Sequence, residues 1–271
     1  MDPTDPTRLA HHRRGDGPPL VLIHGLGSHW QVWRPVVADL ARHRDVIALD
    51  LPGFGQTPPW PPHPGPHPTP GSVPHLADRV AAFLDTLGLG RVEVAGNSLG
   101  GGIALELARR GRADRVTAFS PVGFWGPLGR WWCRTVTGAA RTTARSLRPA
   151  LPRLLATRAG RVALCGPFHG RPGRLDPADC RAAATALAQA PGFGPARAAL
   201  GDWRPPDPDH LHRTPVTVAW GTRDLVLPYR PQARRARAAL PQARHVALPG
   251  CGHLPFADAP QVCARLMIES C

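Results

Sequence analysis

The chain reads as an α/β protein with a mostly parallel central sheet flanked by helices and one helical insertion. Three observations predict this. Short β-branched apolar runs recur along the 271 residues, each ending in a glycine-containing turn. Helix-like segments stand between those runs, as a parallel sheet requires of its crossovers. The strand rhythm then stops between Val122 and about Leu211, where only helical patterns remain.

Taken in order, Arg8 to Arg14 can supply one short strand at most, an abbreviated start. Leu20-Val21-Leu22-Ile23 is a continuous apolar run of the kind expected for a parallel strand covered on both faces, and it ends in His24-Gly25-Leu26-Gly27. A helix is expected over Gln31–Arg42. Val46–Leu49 reads as a strand entering the turn Asp50-Leu51-Pro52-Gly53-Phe54-Gly55. Residues 58–74 are proline-rich and predict an extended solvent loop; His63 and His67 lack acidic or cysteine partners at ligand spacing, so no metal is expected there. His75 begins the next helix, whose body is Leu76–Leu87. After the strand Val92–Ala95 and the helix around Ile103–Ala108 comes the strand Val116–Phe119. Helical patterns then fall at 127–137, 141–158 and 177–190, broken by Pro149, Pro152, Gly166-Pro167 and Pro191-Gly192. Two more strands close the series: Val216–Trp220, leading into Gly221-Thr222-Arg223-Asp224, and His245–Leu248, leading into Pro249-Gly250-Cys251-Gly252-His253.

The chemistry is concentrated in Gly96-Asn97-Ser98-Leu99-Gly100, a sharp strand-to-helix turn with serine at its apex. A serine there is expected near the left-handed backbone region, so small residues must flank it. Its hydroxyl stands clear of the sheet beside a helix N-terminus, whose unpaired N–H groups can stabilise an oxyanion. Serine, aspartate and histidine each follow a different strand, and the C-terminal ends of parallel strands share one edge, where distant residues can meet.

These pieces, His24 to Gly27, Asp50 to Gly55, Gly96 to Gly101, Trp220 to Asp224 and Gly252-His253, resemble those of the α/β-hydrolase fold family in both content and order. The resemblance implies a serine hydrolase in which Ser98 is the nucleophile, His253 the general base and then acid, and Asp224 the group that orients His253. The backbone N–H groups of Leu26 and Leu99 would form the oxyanion hole. An unassisted hydroxyl is a poor nucleophile, and an imidazole within reach removes its proton during attack. Elimination agrees, because His253 is the only histidine after the last strand and no Asp or Glu occurs between Val116 and Leu175. His24 is read as a brace for the oxyanion loop and Cys251 as a packed small residue. The family places a lid between the strand Val116–Phe119 and the strand carrying Asp224. On that basis residues 1–121 and 212–271 form the hydrolase core and 122–211 a helical lid. Phe124, Trp125, Trp131 and Trp132 are candidate contacts for a hydrophobic substrate, with lid–core packing as their alternative role.

The formal charge of +14 would ordinarily raise nucleic acids or anionic membranes as partners, but all 33 basic residues are arginine and they are interspersed with apolar residues. That pattern reads as compositional bias, and no nucleic-acid partner is expected. None of the six cysteines forms Cys-x-x-Cys. No signal peptide or apolar run long enough to span a membrane is visible, which predicts a cytoplasmic protein with reduced thiols. No cofactor or metal is implied.

Among family reactions, Ser98 excludes the carboxylate-nucleophile epoxide hydrolases and haloalkane dehalogenases, and Leu26 interrupts a His-Gly-Gly-Gly motif. Ester hydrolases, thioesterases, lactonases, amidases, perhydrolases and carbon–carbon bond hydrolases remain. A carboxylic-ester or related acyl hydrolase on a small to medium hydrophobic substrate ranks first. Hydrolysis of a vinylogous diketone follows, since the Gly-Asn-Ser-Leu-Gly-Gly elbow is similar to that of the carbon–carbon hydrolases apart from methionine where Leu99 stands. A ligand receptor that keeps the triad is the alternative of a different class.

Overall fold

A computed structural model describes residues 8–59, 69–201, 203–205, 207–211 and 213–269. The expectations for His63 and His67 lie outside the described residues. Seven strands form one sheet: β1 (His11–Arg14), β2 (Pro19–Ile23), β3 (Asp45–Leu49), β4 (Val92–Asn97), β5 (Ala113–Phe119), β6 (Val216–Gly221) and β7 (Arg244–Leu248). Their order is β1-β3-β2-β4-β5-β6-β7, with β1 antiparallel to β3 and every other pairing parallel.

The unbroken apolar runs are explained by two cores, one on each face. Val21 and Ile23 of β2 and Ile47 and Leu49 of β3 join the first, beneath α2 (Val73–Thr86) and α3 (Leu99–Arg109). Leu20, Leu22, Val46 and Ala48 alternate into the second, beneath α1 (Arg34–Leu40) and α10 (Pro260–Ile268). Strand side chains alternate faces, so burying both leaves no polar positions in the run.

The helix expected over Gln31–Arg42 is split. Trp30–Trp33 forms a 3₁₀ turn and α1 begins only at Arg34, with Pro35 in its first turn, where a missing N–H costs nothing.

Between β5 and β6 lie α4 (Pro127–Ser146), α5 (Leu151–Ala156), α6 (Arg158–Cys165), α7 (Pro177–Gln189) and α8 (Phe193–Ala199). The first two helical patterns are redivided: α4 runs through 138–140 without a break and ends at Ser146, before Pro149. The insertion carries its own small apolar cluster around Leu151, Leu155 and Cys180. The remaining helix, α9 (Tyr229–Ala239), joins β6 to β7.

Candidate active site

Ser98 sits between β4 and α3 with φ +56° and ψ −114°. Such a conformation costs a residue with a Cβ on the order of 1–3 kcal/mol and persists only where the surroundings fix it. Here they do. The Ser98 N–H donates to the Phe119 carbonyl at 2.9 Å, and its own carbonyl accepts from the N–H groups of Gly102 and Val122, each at 3.1 Å. The flanking glycines are required by space. A Cβ on Gly96 would lie 2.1 Å from the Gly100 carbonyl oxygen, and one on Gly100 would lie 2.0 Å from that of Ile23. α3 can thus start directly against the end of β2, with Leu99 as its first residue. The N–H of a first helical residue has no acceptor within its helix.

The loop after β2 lies against this turn. A Cβ on Gly25 would come within 3.1 Å of Ser98 Cβ, so Leu26 follows a residue already at the serine. His24 braces the loop: its Nδ1–H donates to the Gly25 carbonyl at 2.7 Å while its Nε2 accepts from the Leu51 N–H at 3.0 Å. Complete burial pushes its pKa down to about 4, so this imidazole is a neutral strut. Asp50 holds the neighbouring turn, with one carboxylate oxygen accepting from the Trp30 N–H at 2.7 Å and the other from the Gln56 N–H at 2.9 Å.

Asp224 and His253 meet across the ends of β6 and β7. His253 Nδ1 lies 2.8 Å from Asp224 Oδ2. The other carboxylate oxygen accepts from the N–H groups of Val226 at 2.9 Å and Leu227 at 2.8 Å, which fixes the carboxylate plane. Both side chains are buried. The bond at Nδ1 leaves Nε2 as the imidazole's free nitrogen. Asn97, next to Ser98, donates through its side-chain NH₂ to the His253 carbonyl at 3.0 Å and ties the serine turn to the histidine loop.

Ser98 and His253 line a single cavity of about 410 Å³ that also touches Leu26. Its far walls come from the insertion: Leu151, Leu155, Leu164 and Leu187 face it, so the apolar cluster of the inserted helices is continuous with the pocket. No arginine lines it among the described residues.

None of the four aromatic candidates for substrate contact, Phe124, Trp125, Trp131 and Trp132, lines this cavity. Phe124 and Trp125 are buried in the main core, where Phe124 packs edge-on against Trp220 with ring centroids 6.5 Å apart. Trp131 and Trp132 face outward. The helical twist of α4 puts Val136, Ala140 and Thr143 on the cavity instead. Cys251 is also away from the cavity, packed in the second core with its thiol pushed up to about 11 by burial.

Two residues of the site had no sequence signal. His169, inside the insertion, lines the cavity with a buried Nδ1 that lacks a partner. Burial takes its pKa down to about 4, with Asp258 opposing that shift and nearby His253 adding to it. Asp258 accepts three backbone N–H bonds: Gly170 at 2.8 Å, Arg171 at 2.9 Å and Gly252 at 2.9 Å. It therefore fastens the insertion to the loop carrying His253. Its only trace in the sequence is its place five residues after His253.

Comparison with known proteins identifies the family. The sequence profile of the α/β hydrolase fold family matches residues 18–260. The chain belongs to the α/β-hydrolase fold family. An uncharacterized protein of Mycobacterium tuberculosis is 32% identical over 269 residues, covering 93% of this chain and 75% of that protein. The 2-hydroxy-6-oxo-2,4-heptadienoate hydrolase of Pseudomonas putida is 42% identical over 117 residues, 41% of this chain and 40% of that enzyme. A thermophilic esterase of Thermogutta terrifontis, solved with malate bound, superposes with a TM-score of 0.71 at 25% identity, covering 96% of this chain and 91% of that one. Among the described residues no helix of this α/β-hydrolase is long and apolar enough to cross a membrane.

Proposed function

We propose that this α/β-hydrolase is a serine hydrolase of carboxylic esters or related acyl compounds with an apolar acyl group. Ser98, His253 and Asp224 form its triad, the N–H groups of Leu26 and Leu99 its oxyanion hole, and residues 122–211 its lid. The observation that carries the reading is the 2.8 Å Asp224–His253 pair, whose imidazole shares one cavity with the strained Ser98.

In this mechanism the Ser98 oxygen attacks the substrate carbonyl while His253 Nε2 takes the hydroxyl proton. Asp224 keeps the Nδ1–H tautomer in place and stabilises the imidazolium that forms. The two backbone donors receive the oxyanion, and His253 then hands its proton to the departing alcohol. Water, deprotonated by the same imidazole, attacks the acyl–Ser98 ester and restores the enzyme. The lid excludes bulk water and presents the apolar wall.

Cleavage of a carbon–carbon bond is the second reading, favoured by the identity to the Pseudomonas putida hydrolase. The substrate in that enzyme's name is a carboxylate. Burying a carboxylate calls for a charged or strongly hydrogen-bonding partner, whereas this cavity is mainly apolar and, among the described residues, has no arginine on its wall, which favours the neutral acyl group. The deciding test is turnover of p-nitrophenyl esters beside a ring-fission diketone, with Ser98→Ala as the blank and a fluorophosphonate probe for the nucleophile. Ester turnover and labelling that both vanish in Ser98→Ala are expected. Turnover of the diketone alone selects the second reading, and labelling that persists in Ser98→Ala refutes the assignment of the nucleophile.

A further inference from the structure

α4 is apolar on two opposite sides of its N-terminal half. One side carries Cys133, Val136, Thr137 and Ala140 toward the core and cavity. The other carries Leu128, Trp131 and Trp132, spaced i, i+3, i+4 and so neighbours on one face. That face is uncovered: Leu128 is 82% exposed, Trp131 63% and Trp132 41%. The Trp132 indole N–H donates to the Leu225 carbonyl at 2.8 Å, which brings Leu225, itself 54% exposed, into the same patch. Large contiguous apolar surface on a protein face marks a contact site, whereas single exposed apolar residues do not.

The helix that carries the patch is charged with one sign. α4 holds Arg130, Arg134, Arg141 and Arg145 and no acidic residue. No ion pair among the described residues includes any of those four. α9, which packs beside the start of α4, adds Arg230, Arg234, Arg235 and Arg237, again without an acid, and the Arg235 guanidinium lies at Gly126 where α4 begins.

We infer that the Leu128–Trp131–Trp132–Leu225 patch is a docking surface for an anionic phospholipid bilayer. Indole and leucine side chains seat at the headgroup–acyl boundary, and the arginines of α4 and α9 favour a negative lipid surface. A second copy of the chain is the poorer fit, because it would oppose the same arginines to themselves. Docking through this face sets the helix that walls the cavity directly at the lipid interface.

The test is co-sedimentation of the full chain with vesicles at about 0.15 M salt, where surface charges beyond roughly 8 Å are screened. The vesicles are phosphatidylcholine with 30 mol% phosphatidylglycerol, or phosphatidylcholine alone. Leu128→Ser with Trp131→Ser is the variant, chosen because both side chains are exposed; circular dichroism and ester turnover in detergent-free buffer verify its fold. Binding to the anionic vesicles that falls about tenfold or more in the variant, and in pure phosphatidylcholine, is expected. Wild type that stays in solution overturns the inference. So does a variant that binds as wild type does, since net charge alone would then account for binding. Concentration-dependent dimerisation of the wild type that the variant abolishes, without vesicle binding, assigns the face to a second copy instead.

Discussion

Asp224 holds His253 from one side only: Oδ2 meets the imidazole at 2.8 Å while Oδ1 is fully engaged by the N–H groups of Val226 and Leu227. This division of the carboxylate makes Asp224→Asn an informative variant. The amide oxygen keeps the two backbone N–H bonds, which turns the NH₂ toward His253 Nδ1. The imidazole must then present a lone pair there and carry its proton on Nε2, the wrong tautomer for a base. We expect kcat to fall by as much as about 10⁴-fold with little loss of fold. Near-normal kcat in a steady-state assay would mean that another acid serves His253.

The link from Asp258 to Gly170, Arg171 and Gly252 predicts a joint effect on stability and catalysis. Removing the carboxylate leaves three backbone N–H groups without their acceptor in a crowded contact, where a Cβ on Gly252 would lie 2.6 Å from His169 Cα. Asp258→Ala should cost about 2–4 kcal/mol of unfolding free energy in urea denaturation, with Asp258→Asn between it and wild type. kcat/KM should drop in the same order, because the loop bearing His253 loses its tie to the insertion. Equal stability of all three proteins would show that the three bonds are dispensable.

Cavity shape rather than the outer tryptophans should set chain-length preference. Each added methylene buried is worth roughly 0.8 kcal/mol, so kcat/KM should rise three- to fourfold per methylene until the pocket fills. With p-nitrophenyl esters from acetate to octanoate, Ala140→Phe and Ala184→Phe, both on the cavity wall, should move the optimum to shorter chains. Trp131→Ala and Trp132→Ala should leave it unchanged. A shift caused by either tryptophan variant would return those residues to the substrate.

His24 and His169 are both depressed from 6.5 to about 4 by burial. Each takes up its proton on unfolding near pH 6.5 but in the folded chain only near 4. The unfolded state therefore binds more protons across that window. Stability is complete above about pH 6.5 and declines as pH falls toward 4, by up to about 1.4 kcal/mol per pH unit for each imidazole. Urea unfolding at pH 7.5, 6.0 and 5.0 measures the slope. His24→Gln and His169→Gln should each flatten it while lowering stability at pH 7.5, and an unaltered slope in the double variant would assign the acid sensitivity elsewhere.

The strand series, the turn at Ser98 and the parallel sheet edge on which Asp224 and His253 are placed can be read from the residues alone, because they are local demands. A strand buried on both faces must be apolar throughout, as at Leu20–Ile23, and a turn packed against β2 must have glycine at 96 and 100. Tertiary structure alone decided what the insertion does. In the sequence Trp131, Trp132 and Val136 are equivalent apolar positions of one helix, and only packing against the core turns Val136 to the cavity and the tryptophans outward. His169 and Asp258 gave no signal for the same reason: one gains its setting by burial beside His253, the other through backbone N–H groups up to 88 residues away. Such partners come from chain crossings, which no residue spacing encodes.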